Sequence, residues 1–341
     1  MDLLTKTATH RLQFHAVKQD LPDPAASLSA ITTLPDGTLW LAADETCSIE
    51  RLLPQHGGGY AQHISYPLTD LFGLPGKSGI EIDIEGLCYH DPYLWIVGSH
   101  ASKFRKKAGE LDFRADKARL EPRRCFLARV PIHQGWPCRV SPHGATAAML
   151  KISRQGNRLR ALLAEDPILH PYCHLPAKAN GLDVEGIAVM GDTIFLGLRS
   201  PVLSHQAVVV EVKLETHRHD ASRLSLRRLN RRQVRYRLHF LDTSGLGIRD
   251  LLVRDQELFF LLGPAMSSDG PFRLGIASTS TLGNYPVRII GEIPCSTGGD
   301  RPEGICWAPN DPTSSIMVVY DSPAHDHHPQ AFQGIADQFS I

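Results

Sequence analysis

A two-strand unit recurs five times along the sequence, and it constrains the fold more than any other feature. In each copy a short apolar segment, a polar turn and a second apolar segment follow one another, and the second segment ends in a polar residue. Short apolar runs bounded by Gly, Pro, Asp and Asn are typical of β-strands. The five copies are residues 27–45, 83–100, 183–200, 247–264 and 301–322.

Further strand-like segments precede or follow several copies, at residues 125–132, 207–214, 236–242 and 287–294. Units of about four strands at periods of roughly 40 to 60 residues are typical of a β-propeller, in which each unit is one blade. We therefore predict an all-β protein, a β-propeller of five or six blades in one domain over residues 1–341. The alternatives are a β-sandwich or two smaller β domains, but no linker rich in Pro, Gly or Ser divides the chain.

The longest gap between copies separates the second from the third and is where we expect a helix. Residues 146–167 have leucines at helix-like spacing, and Pro167 ends the pattern. We predict a helical insertion over about 138–180, which either interrupts the ring or contains a degenerate sixth blade. Residues 11–17 are predicted to pair with C-terminal strands, and residues 323–341 to form a tail.

The composition narrows the class of protein. The chain has 36 basic and 36 acidic side chains, so no net charge attracts it to nucleic acid or anionic lipid. No segment approaches the roughly 20 apolar residues of a membrane-spanning helix, and the seven cysteines form no CxxC pair. We expect a soluble, cytoplasmic protein that binds neither membranes nor nucleic acid. The arginine-rich segment 218–237 is interpreted as a basic edge, because it has few aromatic residues.

Several repeat motifs resemble those of a bacterial family, the domain of unknown function DUF3616. The matching motifs are Asp83-Ile84-Glu85-Gly86-Leu87 with residues 95–100, residues 180–186 with 197–201, Gly247-Ile248-Arg249-Asp250-Leu251, and Arg301-Pro302-Glu303-Gly304-Ile305. The resemblance runs from about residue 27 to 322. It implies a propeller-like fold and no particular activity.

Propeller geometry predicts that polar residues distant in sequence converge at one mouth of the channel. The first strand of each unit lines the channel and the second runs antiparallel beside it, so the start of the first and the end of the second lie together. The strand starts contribute Glu85, Glu185, Asp250 and Glu303, preceded by Asp83, Asp183, Arg249 and Arg301. The strand ends contribute Asp44, His100, Arg199 and Asp321.

Converging carboxylates raise one another's pKa unless positive charge compensates them. One solution is a ring of ion pairs with Arg199, Arg249 and Arg301, which would be a structural plug. The other is a hard divalent cation such as calcium, which collects carboxylate oxygens. The residues predicted as its ligands are Glu85, Glu185, Asp250 and Glu303.

Two functions fit this constellation. The first is a hydrolase-like reaction on a small anionic ligand, with the divalent cation activating water and a base accepting a proton. The residues predicted as catalytic are Glu85, Glu185 and His100, and those predicted to bind the anion are Lys103, Arg199, Arg249 and Arg301. The alternative is a non-catalytic propeller that serves as a binding or scaffold module. The sequence contains no GxSxG, HExxH, Walker or dinucleotide-binding motif.

Overall fold

A computed structural model of the protein shows a fold built from short antiparallel strands. The structure describes residues 2–15, 22–74, 81–104, 106–107, 110–111, 118–229, 233–266, 270–295, 300–321 and 331–341. None of the helices in these ranges is long and apolar enough to cross a membrane.

The strands form five consecutive units, preceded by β1 (Thr5–Gln13). Unit 1 contains β2 (Leu28–Thr33), β3 (Leu39–Ala43), β4 (Ser48–Pro54) and β5 (Tyr60–Pro67). Unit 2 contains β6 (Ile84–His90), β7 (Tyr93–Gly98), the short β8 (Ser102–Lys103), β9 (Lys106–Lys107), β10 (Glu110–Leu111) and β11 (Arg119–Leu120), then β12 (Leu127–His133), β13 (Trp136–Pro137) and β14 (Ala148–Leu150). Unit 3 contains β15 (Asp183–Met190), β16 (Thr193–Ser200), β17 (Gln206–His217), β18 (Asp220–Arg227) and β19 (Tyr236–Asp242). Unit 4 contains β20 (Gly247–Arg254), β21 (Glu257–Gly263), β22 (Phe272–Ser278) and β23 (Arg288–Ile293). Unit 5 contains β24 (Arg301–Trp307), β25 (Ser315–Asp321) and β26 (Gln333–Ser340).

The first strands of the five units contact one another in a closed cycle. Strand β2 contacts β6, β6 contacts β15, β15 contacts β20, β20 contacts β24, and β24 contacts β2. The last unit is completed by the start of the chain, because β1 pairs antiparallel with β26 over Thr5–Ser340 to Gln13–Gln333. Pairing of this N-terminal segment with a C-terminal strand confirms the expectation for residues 11–17 at residues 11–13. The chain is therefore an all-β, propeller-like protein.

In the described part of the chain, the core consists of five hydrophobic clusters, one between each pair of neighbouring units. Strand β7 shows how the sequence produces this arrangement. Its Leu94 and Ile96 pack toward unit 1, whereas Trp95 and Val97 pack toward unit 3. Because side chains alternate along a strand, a run that is apolar at every position is buried on both faces. Each unit is therefore held by its two neighbours.

Two expectations about the less regular segments need correction. A short helix, α1 (Leu68–Phe72), lies in unit 1. The predicted helix over residues 146–167 is shorter in the structure, because α2 covers only Arg158–Glu165. Asn157 caps α2 by accepting a hydrogen bond from the Arg160 N–H, and strand β14 occupies the start of the predicted range. The predicted tail is wrong at its end, because β26 pairs with both β1 and β25. The start of that tail, 323–330, lies outside the described residues.

Candidate functional site

A polar cavity of about 490 Å³ opens where the inner strands begin. Nine acidic and five basic side chains are among the described residues that line it. The acidic ones are Asp44, Glu45, Glu81, Asp83, Glu85, Asp183, Glu185, Glu303 and Asp321. The basic ones are Lys103, Arg124, Lys178, Arg199 and Arg301. The cavity therefore has an excess of negative charge when its groups are ionised.

A break in strand register at the same position of every inner strand explains this convergence. The pairing of the first and second strands shifts around one residue in each unit, as in a β-bulge. The five residues at the shifts are Ser29, Glu85, Glu185, Arg249 and Glu303. All of them except Arg249 line the cavity. Bulges re-aim side chains, so the repeated irregularity directs polar groups toward the channel.

Arginines neutralise one side of this ring. Arg199 binds Asp183, and its Nη1 lies 2.7 Å from Glu185 Oε1. The Nη1 of the buried Arg249 lies 3.2 Å from Glu185 Oε2 and 2.6 Å from Glu303 Oε2. Burial nevertheless raises the pKa of Glu185 to about 8, against the opposing effect of the two arginines. Arg249, predicted to bind an anionic ligand, therefore serves as an internal counter-ion.

A second group of ion pairs lies at the rim next to unit 2. Arg124 Nη2 lies 2.5 Å from Glu81 Oε1, and Arg124 Nη1 lies 2.5 Å from Asp83 Oδ2. Lys103 also binds Glu81. Burial raises the pKa of Asp83 to about 7 although Arg124 opposes this. Lys103 lies at the mouth as predicted, but its ammonium group already has a carboxylate partner.

Glu85 differs from the other carboxylates of the cavity. Its half-buried side chain makes no hydrogen bond or ion pair with any residue in the described ranges. Burial raises its pKa well above the usual range, and the nearby charges of Asp83, Glu185 and Asp183 raise it further. One carboxylate oxygen from each of Glu85, Asp183 and Glu185 lies within 4.8 Å of the others. These three residues could hold a metal ion.

Two further carboxylates line the cavity, Asp44 in unit 1 and Asp321 in unit 5. Burial raises the pKa values of Asp44 and Asp321 to about 6, and the charge of Glu303 raises both. Asp321 is the last residue of β25 and Asp44 follows the last residue of β3, so both lie at the ends of second strands, as the sequence predicts. Arg301 is exposed beside them and has no hydrogen-bonded carboxylate partner among the described residues.

The structure does not bring His100 into the cavity. The imidazole is fully buried, with Nδ1 2.7 Å from the Gly98 carbonyl and Nε2 2.9 Å from Asn157 Nδ2. The Asn157 amide donates to Nε2, since its Oδ1 accepts from the Arg160 N–H, so Nδ1 carries the proton. Burial lowers the pKa of His100 to about 4. Both ring nitrogens therefore have partners inside the fold, and His100 is not among the residues that line the cavity.

Asp250 is also absent from the lining. Its two oxygens accept hydrogen bonds from the N–H groups of Leu251 and Ile305, at 2.7 and 2.8 Å. By register it lies where the other units have Gly86, Gly186 and Gly304, one residue after the bulge. The residue equivalent to the inner glutamates is therefore Arg249, and Asp250 joins unit 4 to unit 5 instead of contacting the cavity.

Four charged residues among the described lining of the cavity were not predicted from the sequence: Glu45, Glu81, Arg124 and Lys178. Glu81 and Arg124 lie just before strands β6 and β12. Their position before a predicted strand was the available signal, because strand starts face the mouth in a propeller. Lys178 lies in the insertion between units 2 and 3, whose sequence gives no such signal.

Three of the solved structures that are similar to this chain share little sequence with it. Kuenenia stuttgartiensis hydrazine synthase is 11% identical with a TM-score of 0.37, over 90% of this chain and 58% of that chain. Staphylococcus aureus virginiamycin B lyase is 10% identical with a TM-score of 0.38, over 98% of this chain and 99% of that one. The PQQ-bound aldose sugar dehydrogenase of Streptomyces coelicolor is 10% identical with a TM-score of 0.39, over 99% and 100%. Similarities of this size carry no inference about this chain.

No curated protein matches the sequence. One family does, and its description is "Protein of unknown function (DUF3616)". The match spans residues 27–337 and so includes the inner strands of all five units and every charged residue in the described lining of the cavity. The chain belongs to the DUF3616 family.

Proposed function

We propose that Glu85, Asp183 and Glu185 bind a divalent cation, with calcium the first candidate, and that the protein acts in a hydrolase-like way on a small anionic ligand at this cation. The uncompensated charge of Glu85 carries the proposal. This carboxylate faces three others and has no cationic partner in the described part of the chain. Hard cations are bound by such sets of carboxylate oxygens, with water completing the shell.

The proposed ligand set corrects the sequence-based one. Glu85 and Glu185 are retained, and Asp183 replaces Asp250 and Glu303. Asp250 is occupied by two backbone N–H groups, and Glu303 accepts from Arg249 through both oxygens. Among the described residues, Arg199 pairs with Asp183 and Glu185 and Arg249 pairs with Glu185, whereas Glu85 pairs with neither arginine.

A bound cation would also explain how a cavity with an excess of carboxylates can bind an anionic ligand. The excess of carboxylates would repel an anion unless a divalent ion compensates them. Arg301 and Lys178 line the cavity without a hydrogen-bonded carboxylate partner among the described residues, so they are available for the ligand. A bound divalent ion supplies charge stabilisation and lowers the pKa of a coordinated water. Asp44 and Asp321, with pKa values raised to about 6, have suitable basicity to accept its proton.

The second candidate function is a non-catalytic binding or scaffold module, which one observation favours. Arginines bind most inner carboxylates directly: Arg124 binds Asp83, Arg199 binds Asp183 and Glu185, and Arg249 binds Glu185 and Glu303. Such a set can be a structural plug that fixes neighbouring units. Under this alternative Glu85 would be protonated and no cation would bind.

Calorimetric titration of chelator-treated protein with CaCl₂, MgCl₂ and ZnCl₂ distinguishes the two functions. We expect one saturable site for a divalent ion, lost in Glu85→Gln and Asp183→Asn. Glu45→Gln is the matched control, because Glu45 lines the same cavity but is exposed and outside the cluster of three. No saturable binding by the parent protein would leave the scaffold function.

We also propose that the five units are the blades of a five-bladed propeller. The closed cycle of contacts among the inner strands and the five inter-unit clusters support this number. The insertion between units 2 and 3 contributes α2 and the strand β14 to unit 2 and no sixth inner strand in the described ranges. A cytoplasmic location is part of the same proposal, since all seven cysteines are free thiols.

A further inference from the structure

A second cavity, of about 470 Å³, lies on the side of the protein between units 1 and 2. Of the residues that the structure describes, none lines both this cavity and the acidic cavity at the channel mouth. Its floor is the outer wall of the hydrophobic cluster between these units. The apolar floor residues are Cys47, Phe72, Leu74, Ile82, Phe126, Met149 and Ile152. Phe72 packs edge-on against Phe126 with ring centroids 5.4 Å apart, so the floor is well packed.

The rim of this cavity is cationic. Four basic side chains and no acidic one are among its described lining residues, and the basic ones are Arg123, Lys151, Arg154 and Arg223. Arg223 Nε lies 2.9 Å from Asp220 Oδ2 at an exposed position. Lys151 and Arg154 are exposed and form no ion pair with a described residue. Thr69, Ser153 and Ser222 add hydroxyl groups to the rim.

We infer that this cavity binds a small amphipathic anion, with its apolar body on the floor and its carboxylate at Lys151 and Arg154. Pockets for small molecules have volumes of about 300 to 1,000 Å³ and pair an apolar wall with a few polar groups. The described lining residues include no carboxylate, which gives this part of the rim one sign of charge and favours an anion. The ligand class is a free medium-chain acyl carboxylate.

A membrane surface fits this cavity less well. Binding to a lipid surface uses apolar side chains that protrude into the acyl region. The exposed large apolar residues in the described ranges are Leu3, Trp136, Val140, Ile168, Val234, Met266 and Tyr285, and none of them lines the cavity. The apolar groups here lie below the rim, where a single chain can enter but a bilayer cannot.

Decanoate is the probe, and calorimetric titration of the full chain measures its affinity. We expect saturable binding that weakens by up to roughly fourfold for each methylene removed in octanoate and hexanoate. Decyltrimethylammonium has the same tail with the opposite charge and should bind at least about tenfold more weakly. Equal binding of the cation would overturn the inference, as would binding only to vesicles of anionic lipid.

Two variants test the position of the head group. Lys151→Glu/Arg154→Glu should weaken decanoate binding by about tenfold or more, because the carboxylate would face two like charges. Arg158→Glu/Arg288→Glu makes the same change of net charge at exposed sites outside this cavity and should bind like the parent. All four positions are exposed, so folding should be retained, and thermal unfolding checks it. An undiminished affinity in the first variant would overturn the assignment.

Cysteine modification locates the tail independently of these variants. Cys47 lines the cavity and is half-buried, whereas the half-buried Cys138 lies outside it. Saturating decanoate should slow alkylation of Cys47 by N-ethylmaleimide and leave Cys138 unchanged, as mapped by peptide mass spectrometry. Equal rates at Cys47 with and without decanoate would show that the tail binds elsewhere and would overturn the inference.

Discussion

Glu85 and Glu185 occupy the same bulge position on adjacent inner strands but differ in their partners. Glu185 is bound by Arg199 and Arg249, whereas Glu85 has no partner among the residues that the structure describes. Unit 2 has Ser99 at the position that Arg199 occupies in unit 3, because Ile84 pairs with Gly98 as Val184 pairs with Leu198. The ring is therefore pseudo-symmetric in backbone and asymmetric in charge, as expected of a binding site more than of a structural plug.

The first prediction compares the removal of an unpaired charge with the removal of a counter-ion. In chelator at pH 8, Glu85→Gln should raise the free energy of unfolding, because the ionised carboxylate is disfavoured by burial and by Asp83 and Glu185. Arg199→Gln should lower it by about 3 to 5 kcal/mol, since Asp183 and Glu185 lose their partner. Urea unfolding measures both. A destabilised Glu85→Gln variant would indicate an undetected partner of this carboxylate.

The second prediction concerns pH. Asp83 and Glu185 have pKa values raised to about 7 and about 8, so the folded protein binds more protons than the unfolded chain below these values. Without a cation, stability should therefore fall as pH rises from 6.5 to 8. Calcium affinity should increase over the same range, because calcium requires the ionised carboxylates.

Calorimetry in two buffers of different ionisation enthalpy checks the second prediction through proton release on calcium binding. The Glu85→Gln variant is the control, since it should release no protons to calcium. Calcium affinity that is independent of pH, together with a flat pH dependence of urea unfolding, would contradict the proposed ligands.

The third prediction is that Asp250 contributes to stability and not to calcium binding. Asp250→Asn can accept only one of the two hydrogen bonds from the Leu251 and Ile305 N–H groups. The amide would face the other N–H, and leaving a buried group unpaired costs about 1 to 3 kcal/mol. Urea unfolding should show this loss, and titration should show unchanged calcium affinity. Loss of calcium binding in a folded Asp250→Asn variant would return Asp250 to the ligand set.

The fourth prediction tests the close approach of the inner strands. A Cβ added to Gly186 would lie 2.9 Å from the Asp250 Cα and carbonyl carbon, which are backbone atoms that cannot move away cheaply. Gly186→Ala should therefore destabilise the protein by at least about 1 to 3 kcal/mol. Gly57→Ala is the control, because a Cβ there meets no atom within 4 Å. Similar unfolding midpoints for the two variants would show that units 3 and 4 pack more loosely.

The repeating strands could be predicted from the sequence, but their register could not. Short apolar runs between turns located all five inner strands, since each is buried against two neighbours. No sequence pattern indicates the bulge. When the repeats are aligned by their acidic residues, Asp250 takes the position of the inner glutamates, which in the structure belongs to Arg249. Shifting a strand by one residue moves a side chain to the other face, so this single error changed the predicted ligand set.

Strand β26 escaped prediction because its buried face is partly polar. Asp337 accepts hydrogen bonds from Thr9 and Tyr320, and Gln338 contacts the His10 ring at 3.1 Å. Thr9 lies 328 residues before Asp337, and His10 lies 328 residues before Gln338, so these polar residues are buried by partners that are remote in the sequence. Apolar periodicity, the main sequence signal for a strand, is therefore weak in this segment.

The last prediction concerns His100, whose folded-state pKa is lowered to about 4 by burial. Between this value and the ordinary 6.5, the unfolded chain binds the proton and the folded protein does not. Stability should therefore fall as pH is lowered through this window, by about 3 kcal/mol in full. Protonation would also set two donors, Nε2–H and the Asn157 amide, against each other.

His100→Gln removes this titration while offering an acceptor to Asn157 and a donor to the Gly98 carbonyl. The difference in unfolding free energy between the parent and the variant should shift in favour of the variant from pH 7 to pH 5, as measured by urea unfolding. Taking the difference cancels the opposite contributions of Asp44 and Asp321, whose pKa values are raised to about 6. Calcium affinity should stay the same, because His100 does not line the cavity. If the unfolding free energies of the parent and the variant changed in parallel from pH 7 to pH 5, His100 would bind its proton in the folded protein as in the unfolded chain. That result would contradict a neutral, buried His100.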